Sequence, residues 1–441
     1  MIGWLSARWQ RALEGFLVVP GLVALAHVAL AFGLVRTDAA LGAERTAFFF
    51  GGDANAARGI LETIAGSLIT VAGLAFSLTI VVLALVSSQF SPRATPGFLA
   101  DRLNQLIAGT FVGIFGYCLV ILRSVRTEVE ATGAGFIPRV SVTVGIVLAF
   151  VALGLLLVFI HHMGKSIHVS RLASRVAADT AREIERRHPY DPETAGMGFA
   201  GPPGAPPPRE GSSAVGAAHP GFVLSIELEG ILEALDTPGV RIAVDVRGGD
   251  FVTTATPLVR VWPPGALSEE ARACVSRCIV IGPERSLHGD AGYGIRQLAD
   301  IVAKALSPGV NDATTAIDCI SHLRELLEQL AVRELPAALR LAGPRGAHLT
   351  AVRPTFDEYL ASAFNEAARY ASDNARVVVS LLDALHAIGR VAEDGHHGSG
   401  RVASVIDLAH AVAGPALADA RTERDTRIIH EGMAWMERSV S

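Results

Sequence analysis

The chain has 441 residues, half of them apolar, with a formal net charge of −5 and a mean hydropathy of +0.40. So apolar a composition, with only 18% charged residues, is unlike an ordinary soluble domain. The slight acidic balance does not suggest a nucleic-acid partner, and none is expected.

Basic residues are almost all Arg, Lys165 and Lys304 being the two exceptions, which reads as codon bias. Cys118, Cys274, Cys278 and Cys319 are scattered. They form no pair of zinc-binding pairs and do not suit a disulfide-stapled extracellular fold. No metal and no cofactor are expected. Cys274 and Cys278, one helical turn apart, read as a buried face.

Residues 1–15 form an amphipathic lead in which Trp4 and Trp9 flank Arg8 and Arg11, suited to a membrane interface. Four apolar segments follow: Phe16–Val35, Ile60–Val86, Leu106–Leu122 and Val140–Ile160. The first, at about 1.5 Å per residue, covers the roughly 30 Å hydrocarbon core. It is longer than the apolar part of a cleaved signal peptide. Four transmembrane helices are predicted at about 16–36, 60–88, 105–123 and 138–162. Lys and Arg are slightly richer beside the ends that an inside N-terminus would place in the cytosol, including Arg93, Arg102, Lys165, Arg171 and Arg175. This bias predicts a multi-pass protein of the bacterial inner membrane with both termini cytosolic.

Residues 163–188 read as a basic juxtamembrane helix, and 189–220 as a linker built around Gly201-Pro-Pro-Gly-Ala-Pro-Pro-Pro208. From Phe222 the period changes to two: Leu224, Ile226 and Leu228, then Val240, Ile242, Val244 and Val246. A small β domain is predicted over 221–285. Its Gly-Asp-Phe-Val and Pro-Leu-Val-Arg-Val runs resemble half of a lipoyl-type barrel sandwich. The modifiable lysine is absent, so such a module would be structural. Residues 286–441 read as mainly helical. A helical hairpin over 290–330 turns at Ser307-Pro308-Gly309, with Gly309 at positive φ and Asn311 or Asp312 capping the next helix. Further helices are expected around Phe356–Tyr370, Ala375–Val391, Arg401–Val412 and Thr422–Met436. The fold class is thus membrane α-helical, four spans followed by a soluble α+β domain.

Ser87-Ser-Gln-Phe-Ser-Pro-Arg93, the Gly-Asp-Phe-Val around Phe251, and Tyr293-Gly-Ile-Arg-Gln-Leu with Ala305-Leu-Ser-Pro-Gly-Val-Asn-Asp312 together carry a resemblance. The chain resembles, from about Phe16 to Val391, a bacterial family of predicted membrane proteins, domain of unknown function 2254. Ala313-Thr314 departs from the Pro and Phe expected there. The resemblance implies membrane location and brings no activity or catalytic residue.

No Asp, Glu, Lys or Arg lies in the cores of the four segments, which argues against a proton-coupled pump or a voltage sensor. His27 reads as a hydrogen-bonded packing residue. In the second segment Thr63, Ser67, Thr70, Gly73, Ser77, Ala84 and Ser88 share one helical face. That face suits either close helix packing or, repeated around a symmetry axis, a pore wall. Ser87, Gln89, Ser91, Pro92 and Arg93 then form either a helix stop or a cytosolic mouth. His161, His162 and His168 read as interfacial residues before a metal site. In the soluble part Tyr293, Gly294, Arg296, Gln297, Asp300, Ser307, Pro308, Gly309, Asn311 and Asp312 form a candidate motif, with Arg296 and Asp300 paired on a helix. His288–Gly294 is glycine-rich, but no strand and helix are expected to frame it as a dinucleotide site requires.

Three functions are compatible with this sequence. The first is a homo-oligomeric channel or passive conduit for an ion or small solute, with a cytosolic gating or assembly domain. The second is a membrane-anchored scaffold or sensor that binds a partner, and the third a membrane enzyme acting on lipid or envelope precursors. No catalytic residue is assigned. The expected partners are the lipid bilayer and further copies of the chain.

Overall fold

A computed structural model describes residues 17–45, 49–89, 101–126, 136–166, 169–188, 210–393 and 398–436. The chain divides into two compact units, Met1–His168 and Val169–Ser441.

The first unit contains helices α1 (Val18–Arg45), α2 (Ala54–Gln89), α3 (Arg102–Ser124) and α4 (Arg139–Ser166). Helix α3 is central and touches the other three. Its Phe111, Ile114, Tyr117, Cys118 and Ile121 are fully buried. Its small residues let α1 approach closely: a Cβ on Gly109 would lie 2.7 Å from Pro20 Cα, and one on Gly113 2.7 Å from His27 Nδ1. His27 is satisfied within its own helix, Nδ1 lying 2.8 Å from Val23 O. Leu25, Phe32, Ile80, Phe150, Leu153 and Leu157 are exposed, so the unit turns an apolar shell outward.

Helix α1 continues well past the last apolar residue of its segment, Val35, because a polar side chain anchors the extension. Asp38 is only 4% exposed and accepts hydrogen bonds from Val140 N and Ser141 N, both at 2.9 Å, and from Ser141 Oγ at 2.6 Å. These amides open α4, so a carboxylate of one helix caps another.

Among the described residues five helices are long and apolar enough to cross a membrane, where the sequence suggested four. The fifth, Ser399–Asp419, lies in the second unit. There Val402, Val405, Ala409, Val412, Ala413 and Ala416 sit in the core while Asp407 and His410 face outward.

The second unit combines sheets and a helical bundle. Strands β1 (Ser213–Gly216), β2 (Gly221–Ile226), β3 (Arg241–Val244), β4 (Phe251–Val252), β5 (Pro257–Trp262) and β6 (Ile279–Gly282) are joined by β7 (Ala338–Ala342) and β8 (His348–Val352). They form two open sheets, β1-β5-β3-β8-β7 and β4-β2-β6. β3 pairs parallel with β8 and the remaining pairs are antiparallel. The large sheet therefore recruits a hairpin from outside the predicted 221–285 segment, and its open strand order replaces the expected barrel-like closure. In β2 it is Val223 that turns inward, the opposite parity to Leu224 and Ile226. Leu228 begins helix α6 (Leu228–Ala234). Helix α7 (Glu269–Cys278) carries Cys274 and Cys278, and burial pushes the Cys278 thiol up to about 11.

The bundle comprises α5 (Val169–Arg187), α8 (Ala291–Ala305), α9 (Ala313–Ala331), α10 (Phe356–Ala371), α11 (Ala375–Glu393), α12 (Gly398–Asp419) and α13 (Glu423–Met433). One core joins them, in which Ala173, Val176, Ala177 and Ile184 of α5 pack among residues of α8 to α13. At the α8–α9 turn the positive φ falls on Asn311 (46°), and Gly309 is not among the glycines of that conformation. The sequence expectation is corrected here. Asp312 caps α9, accepting from Thr314 N and Thr315 N at 3.1 Å and from Thr315 Oγ1 at 2.6 Å. Asn311 takes the left-handed position that closes the turn, which Asn tolerates better than most residues.

Candidate functional site

On α2 the small and hydroxyl residues stand opposite the packed face. Ala57, Leu61, Ala65, Leu68, Ala72, Ala75 and Val82 are buried, whereas Thr63, Ser67, Thr70, Gly73, Ser77 and Ala84 are exposed. Gly59, Gly66 and Gly73 lie on the same outward side, spaced by seven, and a Cβ on any of them would meet nothing within 4 Å. Thr63 Oγ1 and Thr70 Oγ1 donate to the carbonyls of Gly59 and Gly66, at 2.7 and 2.9 Å. The close glycine contacts within the bundle are thus those of α3, while Gly59, Gly66 and Gly73 of α2 lie in open space. Ser87, Ser88 and Gln89 are on the last turn of α2, while Ser91, Pro92 and Arg93 lie outside the described residues. At the start of α3, Asp101 accepts from Leu103 N at 3.0 Å, and its other carboxylate oxygen lies 3.0 Å from His162 Nε2. His162 thus has a carboxylate partner, His161 is exposed, and His168 lies outside the described residues.

The soluble motif is spread along one helix. Arg296 Nε donates to Asp300 Oδ1 at 2.9 Å and Arg296 Nη2 to Glu366 Oε1 at 2.6 Å. Gln297 is half-buried beside them in sequence. Ser307 Oγ donates to Lys304 O at 2.6 Å, and Pro308 and Gly309 are exposed at the turn. Tyr293 and Gly294 sit at the other end of α8, roughly 20 Å away at 1.5 Å per residue. The motif is therefore not one site. Its N-terminal end borders a cavity.

This cavity, of about 50 Å³, is lined by Arg187, His188, Arg247, Asp290, Arg353 and Tyr359 among others. Two glycine turns build its wall. A Cβ on Gly248 would lie 2.3 Å from Gly289 O, and one on Gly249, at φ +87°, would lie 2.2 Å from Asp290 Oδ2. The Gly248-Gly249-Asp250 turn and the His288–Gly294 segment are thus pressed together backbone to backbone. Strand β6 and helix α8 do frame the latter segment, contrary to the sequence expectation. The helix N-terminus is nevertheless filled by its own cap, Asp290, whose Oδ1 accepts from Tyr293 N at 3.1 Å, and β6 pairs antiparallel. Neither feature fits a dinucleotide fingerprint.

The cationic groups around the cavity are not all matched one to one by a carboxylate in contact. Glu183, buried, takes hydrogen bonds from Arg187 Nε at 2.8 Å, Arg186 Nη2 at 2.6 Å and Gly289 N at 2.8 Å. One carboxylate therefore serves two guanidiniums. Arg247 Nη1 donates to Glu358 at 2.7 Å and Arg285 Nη2 to Asp290 at 2.5 Å. Arg353 Nη1 donates to the carbonyl of Arg187 at 2.9 Å, and among the described residues no carboxylate pairs with it. Arg333, outside the lining but close enough to act on His188, has Nε and Nη1 buried with no hydrogen-bond partner among the described residues, and Glu185 lies near enough to act on it.

His188, 6% exposed, has Nε2 3.2 Å from Tyr359 Oη. Burial first, then Arg353, Arg187 and Arg333, lower its pKa to about 3, so the imidazole is neutral near pH 7. Burial raises the Asp290 carboxyl against the opposing pull of Arg285. Burial and the charge of Arg187 lower the Arg353 guanidinium. The recess is thus lined by the guanidiniums of Arg187, Arg247 and Arg353 and by Tyr359. The sequence did not reveal it because its arginines are remote along the chain, Arg187 and Arg353 being 166 positions apart. The two glycine turns were the available signal.

Residues 14–387 match the model of a family described as "Predicted membrane protein (DUF2254)". Uncharacterized proteins of Mycobacterium tuberculosis and Mycobacterium bovis are each 32% identical over 345 residues. The matched region is 77% of this chain and 65% of each relative, so the chain spans just under two thirds of their length. No solved structure matches the chain.

Proposed function

The chain belongs to the DUF2254 family of predicted membrane proteins, and from that premise we propose that it is a homo-oligomeric, channel-like protein of the inner membrane. In this reading α1 to α4 are the four spans and both termini are cytosolic. The 169–436 region then serves as a cytosolic assembly or gating domain. One observation carries the reading: α2 turns its glycines and hydroxyls away from its own bundle. Glycines repeating every seven residues suit close approach of a second α2 at a shallow crossing angle. A subunit of four spans is too small to enclose a conduit, so the path would run between copies. Ser87–Arg93 would then ring its cytosolic mouth, where Arg93 would favour anions.

Cysteine at position 67 or 70 should form intersubunit disulfides in native membranes, whereas cysteine at exposed, lipid-directed Phe150 should not. Ser77→Leu should abolish conductance of the protein in planar bilayers while leaving the oligomer intact. A monomer in detergent and in membranes would overturn the proposal.

The scaffold or sensor reading draws on a different observation, the cationic cavity of the second unit, which offers a place for a ligand without requiring a pore.

A further inference from the structure

The arginine cavity has more cationic capacity than the protein itself satisfies. Of its lining guanidiniums, Arg187 shares the Glu183 carboxylate with Arg186, and Arg353, among the described residues, has no carboxylate in contact. A guanidinium held in a recess with no carboxylate in contact is costly unless a ligand supplies the negative charge, and Arg353 is in that position. The recess selects for size as well as charge. Its roughly 50 Å³ holds a few water molecules, comparable to one tetrahedral oxyanion and well below a nucleoside.

We propose that this cavity binds a phosphomonoester group, held by the guanidiniums of Arg187, Arg247 and Arg353 with the Tyr359 hydroxyl as a further donor. A tetrahedral oxyanion matches the lining better than a planar carboxylate, because three guanidiniums and a hydroxyl line the recess from separate elements. Planar guanidinium forks suit the spaced oxygens of a phosphate. Asp290 does not oppose the ligand strongly, since Arg285 engages its carboxylate through Nε at 3.1 Å and Nη2 at 2.5 Å. The remainder of the ligand stays outside the recess. Two sources share this chemistry: a soluble phosphate ester or inorganic phosphate, and the headgroup of a phosphatidic-acid-type lipid. The inference concerns the second unit alone and stands whether or not α2 lines a conduit.

The test uses the full chain in nanodiscs. Inorganic phosphate is titrated calorimetrically into protein in phosphatidylcholine discs, and separately protein is captured on phosphatidylcholine vesicles with and without phosphatidic acid. Saturable phosphate binding, or phosphatidic-acid-dependent capture, weakened roughly tenfold or more by Arg353→Met supports the site, and the responding probe identifies the source. Should Arg353→Met not fold, Arg247→Gln removes a half-exposed donor and is expected to weaken binding several-fold. A second readout is independent of affinity. Phosphate beside Arg187 and Arg353 changes the field on the neighbouring ring, so the imidazole resonance of His188 should shift saturably on titration. The absence of saturable binding of either probe would overturn the proposal. So would binding that survives Arg247→Gln and Arg353→Met with the His188 resonance unmoved.

Discussion

A Cβ on Gly294 would lie 1.8 Å from Thr180 Oγ1. Helices α5 and α8 therefore meet with no space for a side chain, and Thr180, fully buried, spends its hydroxyl on Val176 O at 2.6 Å. Gly294→Ala is expected to destabilise the protein by about 2–4 kcal/mol through overpacking. Thr180→Ala alone should cost less, and the double variant should recover part of the loss, because the alanine at 294 then meets a methyl in place of a hydroxyl-bearing branch. Urea unfolding of the four proteins measures the coupling. Strict additivity would show that the contact is not what holds α5 on α8.

The α8–α9 turn makes an opposite pair of predictions. Asn311 holds φ 46°, and Gly309 has open space around it. Asn311→Val should cost about 1–2 kcal/mol by forcing a β-branched residue into the left-handed region, whereas Asn311→Gly should be nearly neutral. Gly309→Ala should leave the melting temperature unchanged. Thermal melts of these three variants separate a turn fixed by residue 311 from one fixed by residue 309.

The contrast between these residues shows what the sequence carried. Long apolar runs announced the membrane helices, since each run is a local composition signal. Tyr293-Gly-Ile-Arg-Gln-Leu announced a helix for the same reason, through its apolar stripe. The cap of α9 was legible as Asn311 or Asp312, but which residue turned and which capped depended on φ, which composition does not encode. The parallel pairing of β3 with β8 was hidden, because Val240–Val246 alternates like any hairpin strand and its partner lies about a hundred residues onward. The outward direction of the α2 hydroxyl face needed the positions of α3 and α4. The cavity needed five separate segments to converge, and only the glycines that let two of them touch left a trace.

Asp38 supplies a prediction in the first unit. Its carboxylate accepts all three hydrogen bonds from Val140 and Ser141 at the start of α4. Asp38→Ala should lower stability by about 1–3 kcal/mol, because two helix-opening amides lose their acceptor in a buried setting. Asp38→Asn should cost less, as the amide oxygen still accepts. Melting of detergent-solubilised protein reads the effect. In a Ser141→Ala background the penalty of Asp38→Ala should shrink, and an unchanged penalty would rule out the cap as its cause.

His188 gives the protein a specific response to acid. Its folded pKa is about 3, against about 6.5 when unfolded. Between these values the unfolded chain binds more protons than the folded one, so stability falls as pH drops from about 6.5 towards 3 and is unaffected by this residue above about 7. From pH 7 to pH 5 the expected loss is about 2 kcal/mol. The groups facing the ring, Arg187, Arg333, Arg353 and Tyr359, stay in one charge state over that range, so they set the shift without adding a titration. Asp312 and Glu358, whose carboxyls are held below their usual range by hydrogen bonds from Thr315 and Arg247, also lose stability in acid, but at pH below the ordinary carboxylate range. Urea midpoints at pH 7 and pH 5 for the wild type and His188→Gln isolate the imidazole. Glutamine keeps a hydrogen bond to Tyr359 within reach and does not titrate. The variant should therefore show a flatter response between these two pH values. An equal slope in both proteins would mean that His188 is not buried as a neutral ring.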